Sequence, residues 1–211
     1  MLKVWGRANS LNVQKVMWTI AELGLAHERI DFGGKFGGND TPEYLAKNPN
    51  GLVPLLEDGD TALWESHAIV RYLAAKHGAG SLWPDNPTDR APADQWMEWA
   101  QTTLQPATIS VFMKMWRTPP GKQDPAAIAA AIETAGKAMT KFDAVMGDRP
   151  FPSGNTLTFG DIAAGAHLFR YFTLDIERPN VPNVERWYAA LTERPAYAEH
   201  VMVSYDDLRA W

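Results

Sequence analysis

Leu2 to Trp5 is a short apolar run, and Val13, Val16, Met17 and Ile20 then recur at the spacing of an amphipathic helix that ends at Gly24. Strand followed by helix is a βα unit. His27 to Phe32 alternates as a second strand, Gly33 to Asn39 reads as a glycine-rich loop, and Thr41-Pro42-Glu43-Tyr44-Leu45 opens a short helix with proline in its first turn. An Asp58-Gly59 hairpin joins the run Asn50 to Leu56 to the run Trp64 to Val70, and Ile69, Tyr72 and Leu73 carry helical spacing on to about residue 77. The predicted order is βαβαββα, one small α/β layer over residues 1–78.

From Gly78 through Asp85-Asn86-Pro87 the chain reads as a linker (79–87), and residues 88–211 read as almost entirely helical. A long helix is expected to start near Thr88 or Asp89, with Pro92 in its first turn, and to run toward Trp116 with a bend or break at Pro106. An alanine-rich helix follows over about 124–146. Thr158 to Asp161 has the form of a capping box, Thr158 as N-cap and Asp161 three positions on, with Leu157 stapling onto Ile162. Val184, Trp187, Tyr188 and Leu191 form a further stripe between Pro182 and Pro195.

Composition narrows the class. With 45% apolar and 21% charged residues over 211 positions the chain is globular, and neither a membrane-length apolar run nor a secretory segment is seen. A soluble, cytoplasmic protein is expected. The net charge of -5, without basic clusters, argues against nucleic acid or a membrane surface as partner. Zero cysteines exclude a disulfide framework, a thiolate metal site or a redox Cys-x-x-Cys, so any sulfur chemistry must use a ligand's thiol. His27, His67, His77, His167 and His200 lack metal-ligand spacing and read as structural, so no metal is expected.

Two short motifs carry candidate chemistry. Proline cannot donate to a strand ladder, so Pro54 belongs at a strand start, an edge or a bulge, and a cis Val53-Pro54 bond would leave the Val53 N–H and C=O free for an extended ligand. An ordinary loop proline is the alternative. Glu65 and Ser66 fall at the amino end of the helix, where free N–H groups attract a carboxylate, though Ser66 could equally be an N-cap. A carboxylate beside an anion pocket suits a ligand with both an ammonium and a carboxylate, which is the pattern of an amino-acid head group.

Val53-Pro54, Glu65-Ser66 and the Thr158 to Asp161 box, in this order across an α/β layer and a helical domain, resemble the soluble glutathione S-transferases. The resemblance covers essentially the whole chain and implies a thioredoxin-like domain followed by an all-α domain, in a homodimer. It further implies that Val53 pairs with the cysteinyl backbone of glutathione, that Glu65 and Ser66 hold its γ-glutamyl head, and that Lys35, Phe36 and Gly37 lie near its glycyl end. Leu52 stands where relatives often carry a polar contact.

Ser10-Leu11-Asn12-Val13 resembles the loop of the serine and bacterial threonine/asparagine types, which makes Ser10 and Asn12 the expected catalytic pair. Ser10 also suits an N-cap, and both roles are compatible. Phe112, Met113, Trp116 and Arg117 end the long helix where the family places its second substrate, a small hydrophobic electrophile. A Met and aromatic stripe there could also be core. The implied reaction is detoxifying conjugation of glutathione thiolate; a disulfide or peroxide reductase using two glutathiones, and a non-catalytic binding module on the same fold, remain as alternatives.

Overall fold

The computed structural model describes residues 1–211. Strands β1 (Leu2–Trp5), β2 (His27–Ile30), β3 (Leu55–Asp58) and β4 (Thr61–Trp64) form one sheet in the order β2-β1-β3-β4. β1 and β2 are parallel, joined by helix α1 (Leu11–Glu22), while β1–β3 and β3–β4 are antiparallel. α2 (Pro42–Leu45) and α3 (Ser66–His77) complete the expected βαβαββα layer. The hairpin turn is Gly59-Asp60, because Asp58 already pairs with Thr61, and Gly59 (φ 60°) supplies the left-handed conformation.

Val13, Val16 and Ile20 of α1 pack with Leu56, Ile69 and Leu73 into the core beneath the sheet, as their spacing requires. Beyond α3 the chain is helical: α4 (Pro87–Trp99), α5 (Gln105–Met115), α6 (Pro125–Met146), α7 (Phe159–Gly165), α8 (Leu168–Thr173), α9 (Pro182–Thr192) and α10 (Pro195–His200). This second core does not stop at the linker. It takes in Trp18 of α1 and Val70 and Ala74 of α3, and the Trp18 ring meets Tyr197 edge-on at 4.9 Å. Arg194 closes the same seam on Glu22 at 2.6 Å.

Two expectations about prolines change. α4 is capped by Asn86, whose side chain accepts from the Thr88 N–H at 2.8 Å, so the helix begins at Pro87 and Pro92 falls in its second turn. Pro106 breaks nothing. A π turn over Ala100–Leu104 links α4 to α5, with the Gln105 N–H reaching back to the Ala100 carbonyl, and this wider turn absorbs the bond that proline cannot make. Ser66 is likewise the first helical residue of α3, and Glu65 occupies the cap position.

α7 runs through the centre of the helical domain with all seven residues buried. It crosses α4 at Gly160, where a Cβ would lie 2.2 Å from the Ala93 carbonyl oxygen. Only glycine permits that approach.

Candidate active site

The loop after β1 is tied to the end of β2 by Gly6 N–H donating to the Ile30 carbonyl at 2.9 Å and Arg7 N–H to Phe32 at 3.1 Å. Ser10 is the N-cap residue of α1, and its carbonyl accepts from Gln14 at 2.9 Å. Its side chain makes no capping bond. The hydroxyl is therefore left beside the helix amino end, where the dipole favours negative charge.

One turn on, Lys15 is completely buried. Its ammonium donates to Asn12 Oδ1 at 3.1 Å, His67 Nε2 at 3.0 Å and Gln105 Oε1 at 2.7 Å, which uses all three donors. Because an ammonium can only donate, it fixes the Asn12 amide with its oxygen inward and its N–H groups outward. Burial lowers the Lys15 pKa to about 7, partly countered by the charge of Glu65. Burial, with the charges of Lys15 and Arg71, lowers His67 to about 2, so the imidazole is neutral and accepts from the lysine.

The Val53–Pro54 bond is cis. The Val53 amide and carbonyl enter no backbone hydrogen bond, since the β3 ladder begins at Leu55. Glu65 adopts φ 69° and ψ 112°, the only positive φ outside glycine, a conformation that costs about 1–3 kcal/mol and clusters at ligand-holding sites. Ser66 follows it, 5% exposed, with the α3 amino end. Asn12, Val53, Pro54, Glu65 and Ser66 share one narrow groove with Asn48, Asn50, Leu52 and Trp64.

Asn12 also borders a second cavity of about 280 Å³, which Ser10 lines together with Arg7, Gln105, Phe112, Met113, Arg117 and Arg170. Groove and cavity meet at Asn12. A larger surface depression, about 1010 Å³ along α6, contains none of these residues.

Comparison with known proteins decides the family. The model of the glutathione S-transferase N-terminal domain matches residues 1–75 and that of the C-terminal domain residues 125–190. Glutathione S-transferase GstB of Escherichia coli is 45% identical over 96% of this chain and 99% of its own length. The chain belongs to the glutathione S-transferase family. A theta class glutathione S-transferase from Xanthomonas axonopodis pv. citri, solved with glutathione bound, superposes with a TM-score of 0.92 at 45% identity, covering 96% of this chain and 98% of that one. Glutathione S-transferase 4 of Zea mays is 28% identical over 92% of this chain and 89% of its own.

Against this family frame, the residues expected from sequence divide into those gathered at the groove and cavity and those placed elsewhere. Ser10, Asn12, Val53, Pro54, Glu65, Ser66, Phe112, Met113 and Arg117 line one or both. Lys35, Phe36 and Gly37 line neither: they form and close a tight turn (Gly34–Phe36) from which Lys35 reaches Asp207 at 2.5 Å near the carboxyl terminus. Trp116 turns away from the cavity. Its indole N–H donates to the Tyr205 carbonyl at 3.1 Å and its ring packs edge-on against Tyr205.

Sequence reasoning missed Arg7, Asn9, Lys15, Gln105 and Arg170. Arg7 and Lys15 flank the Ser10 loop and were open to notice, but Gln105 and Arg170 carry no local signal and arrive only through packing. No helix of the chain is long and apolar enough to cross a membrane.

Proposed function

We propose that Ser10 and Asn12 stabilise the thiolate of glutathione for attack on a small electrophile, in a glutathione transferase with no metal. Residues 1–78 hold the tripeptide, with its cysteinyl backbone at Val53 and its γ-glutamyl head at Glu65 and Ser66. Residues 88–211 supply the second substrate's wall through Phe112, Met113 and Arg117, with 79–87 as connection. The observation that carries this reading is the position of Asn12, which borders both the peptide-binding groove and the cavity beside Ser10.

A free thiol titrates near ~8.5 and the thiolate is the nucleophile; lowering that pKa by about two units takes about 2.7 kcal/mol of preferential thiolate binding. A hydroxyl from Ser10, an amide N–H from the lysine-locked Asn12 and the α1 dipole are donors of the right kind. Attack forms the new carbon–sulfur bond, the leaving group departs with its bonding pair, and the thiol proton goes to solvent. Lys35, Phe36 and Gly37 then contribute through the loop at the glycyl end, and Trp116 by bracing the helix end that bears Arg117.

Ser10→Ala is expected to raise the pKa of bound glutathione by about one unit and to lower kcat/KM at neutral pH about tenfold, with a smaller loss at alkaline pH. Thiolate absorbance against pH, alongside the rate profile, checks it; an unchanged titration removes Ser10 from the mechanism. Family membership also supports a cytoplasmic homodimer, which sedimentation and cell fractionation test.

A further inference from the structure

The cavity beside Ser10 is built for charge. Its lining includes three guanidinium groups, Arg7, Arg117 and Arg170, and no carboxylate. None of the three forms an ion pair anywhere in the chain. Arg7 Nε and Arg170 Nε are buried without a hydrogen-bond partner. Arg170 is a buried cation without a counter-charge and Arg7 is half-buried, so with Arg117 at the exposed edge the cavity gathers positive charge that no carboxylate of its lining balances.

Arg170 and Arg7 are held in place by something other than a carboxylate. Arg170, 7% exposed, donates to the Asn9 carbonyl at 2.5 Å and lies over the Phe112 ring at 4.7 Å, which spends one donor and fixes its plane. Arg7 packs on Gly34, where a Cβ would come within 3.1 Å of its Nη1. Arg117 is exposed at the mouth. The positive charges of Arg7 and Arg117 also press on one another and on Arg170, whose pKa is pushed down to about 10, chiefly by burial.

We propose that this cavity binds the electrophilic substrate through a carboxylate, held by Arg7, Arg117 and Arg170, so that the enzyme's substrates are organic acids and not uncharged hydrophobic compounds. The inference rests on the transferase reading above. Ile109, Phe112 and Met113 face the same space, so the acid carries a short apolar body, and about 280 Å³ accommodates a single ring or a few carbons. The groove at Val53 and Ser66 lies on the other side of Asn12 and is left to glutathione.

The test is calorimetric and needs no turnover. Glutathione is titrated first, followed by two chemically prepared conjugates that differ only in one group: S-(4-carboxy-2-nitrophenyl)glutathione and its methyl ester. The acid is expected to bind at least about tenfold more tightly than the ester, the scale of one charge-assisted bond. Arg117→Gln, at an exposed position, and Arg7→Gln should each bring the ratio toward one. Equal affinities, or an acid preference that survives both variants, overturn the anion site while leaving glutathione binding intact. Failure of glutathione itself to bind overturns the transferase reading, and this proposal with it.

Discussion

Asp161→Ala loses about 3 kcal/mol or more of stability in urea unfolding, the cost of orphaning several buried donors together with a helix cap. Asp161 is fully buried, and its carboxylate accepts from the Ser153 N–H at 3.1 Å, the Ser153 hydroxyl at 2.5 Å, the Thr158 N–H at 2.6 Å and the Thr158 hydroxyl at 3.0 Å. These bonds start α7, the helix around which the second domain packs. No cation joins them, and burial raises the Asp161 pKa despite the four donors. Asp161→Asn keeps the side chain's shape and one acceptor oxygen, so it should cost clearly less than alanine. Equal losses for the two substitutions would assign the effect to packing alone.

Acid should destabilise the protein through its buried histidines. His67 titrates at about 2 instead of 6.5, and His167 is also held well below 6.5, first by burial and then by the Lys15 charge. His167 Nδ1 meets the Thr108 hydroxyl at 2.9 Å, while its Nε2 has no partner to share an added proton with. Below pH 6.5 the unfolded chain binds protons at both sites and the native protein does not, so stability rises with pH there. Two such groups change unfolding free energy by about 4 kcal/mol between pH 7 and pH 5. Lys15, lowered from 10.5 to about 7, acts with the same sign in its own higher window. Urea titrations across this range measure the slope, and His67→Gln should reduce it by about one proton. A halved slope would mean that one of the histidines takes up its proton in the folded state, and a flat profile that both do.

Much of the architecture was legible because it is encoded locally. Val13, Val16, Met17 and Ile20 specify one face of α1 by spacing alone, Asp58-Gly59 announces the hairpin, and Thr158 with Asp161 writes the start of α7 within four residues. Glu65 and Ser66 were readable as a helix amino end for the same reason. The π turn before Pro106 was not, because proline says only that one backbone bond is missing and not how the helix compensates.

The side chains that complete the site divide along the same line. Periodicity says which face of a helix is buried and is silent about which other face it meets. Hence Trp116, readable as a substrate contact, lies against Tyr205, and Lys35 reaches Asp207 at the far end of the chain. Lys15 stands on the face of α1 opposite the Val13, Val16, Met17 and Ile20 stripe, where periodicity alone predicts solvent, and it is buried because α3 brings His67 and α5 brings Gln105 to its ammonium. Sequence by itself determined the main elements, the cap motifs and the strand start at Pro54, since each depends on neighbours a few residues away. The lysine-locked asparagine and the arginine cavity were decided by tertiary structure alone, because desolvation and convergent charge exist only once helices distant in sequence close around the same space.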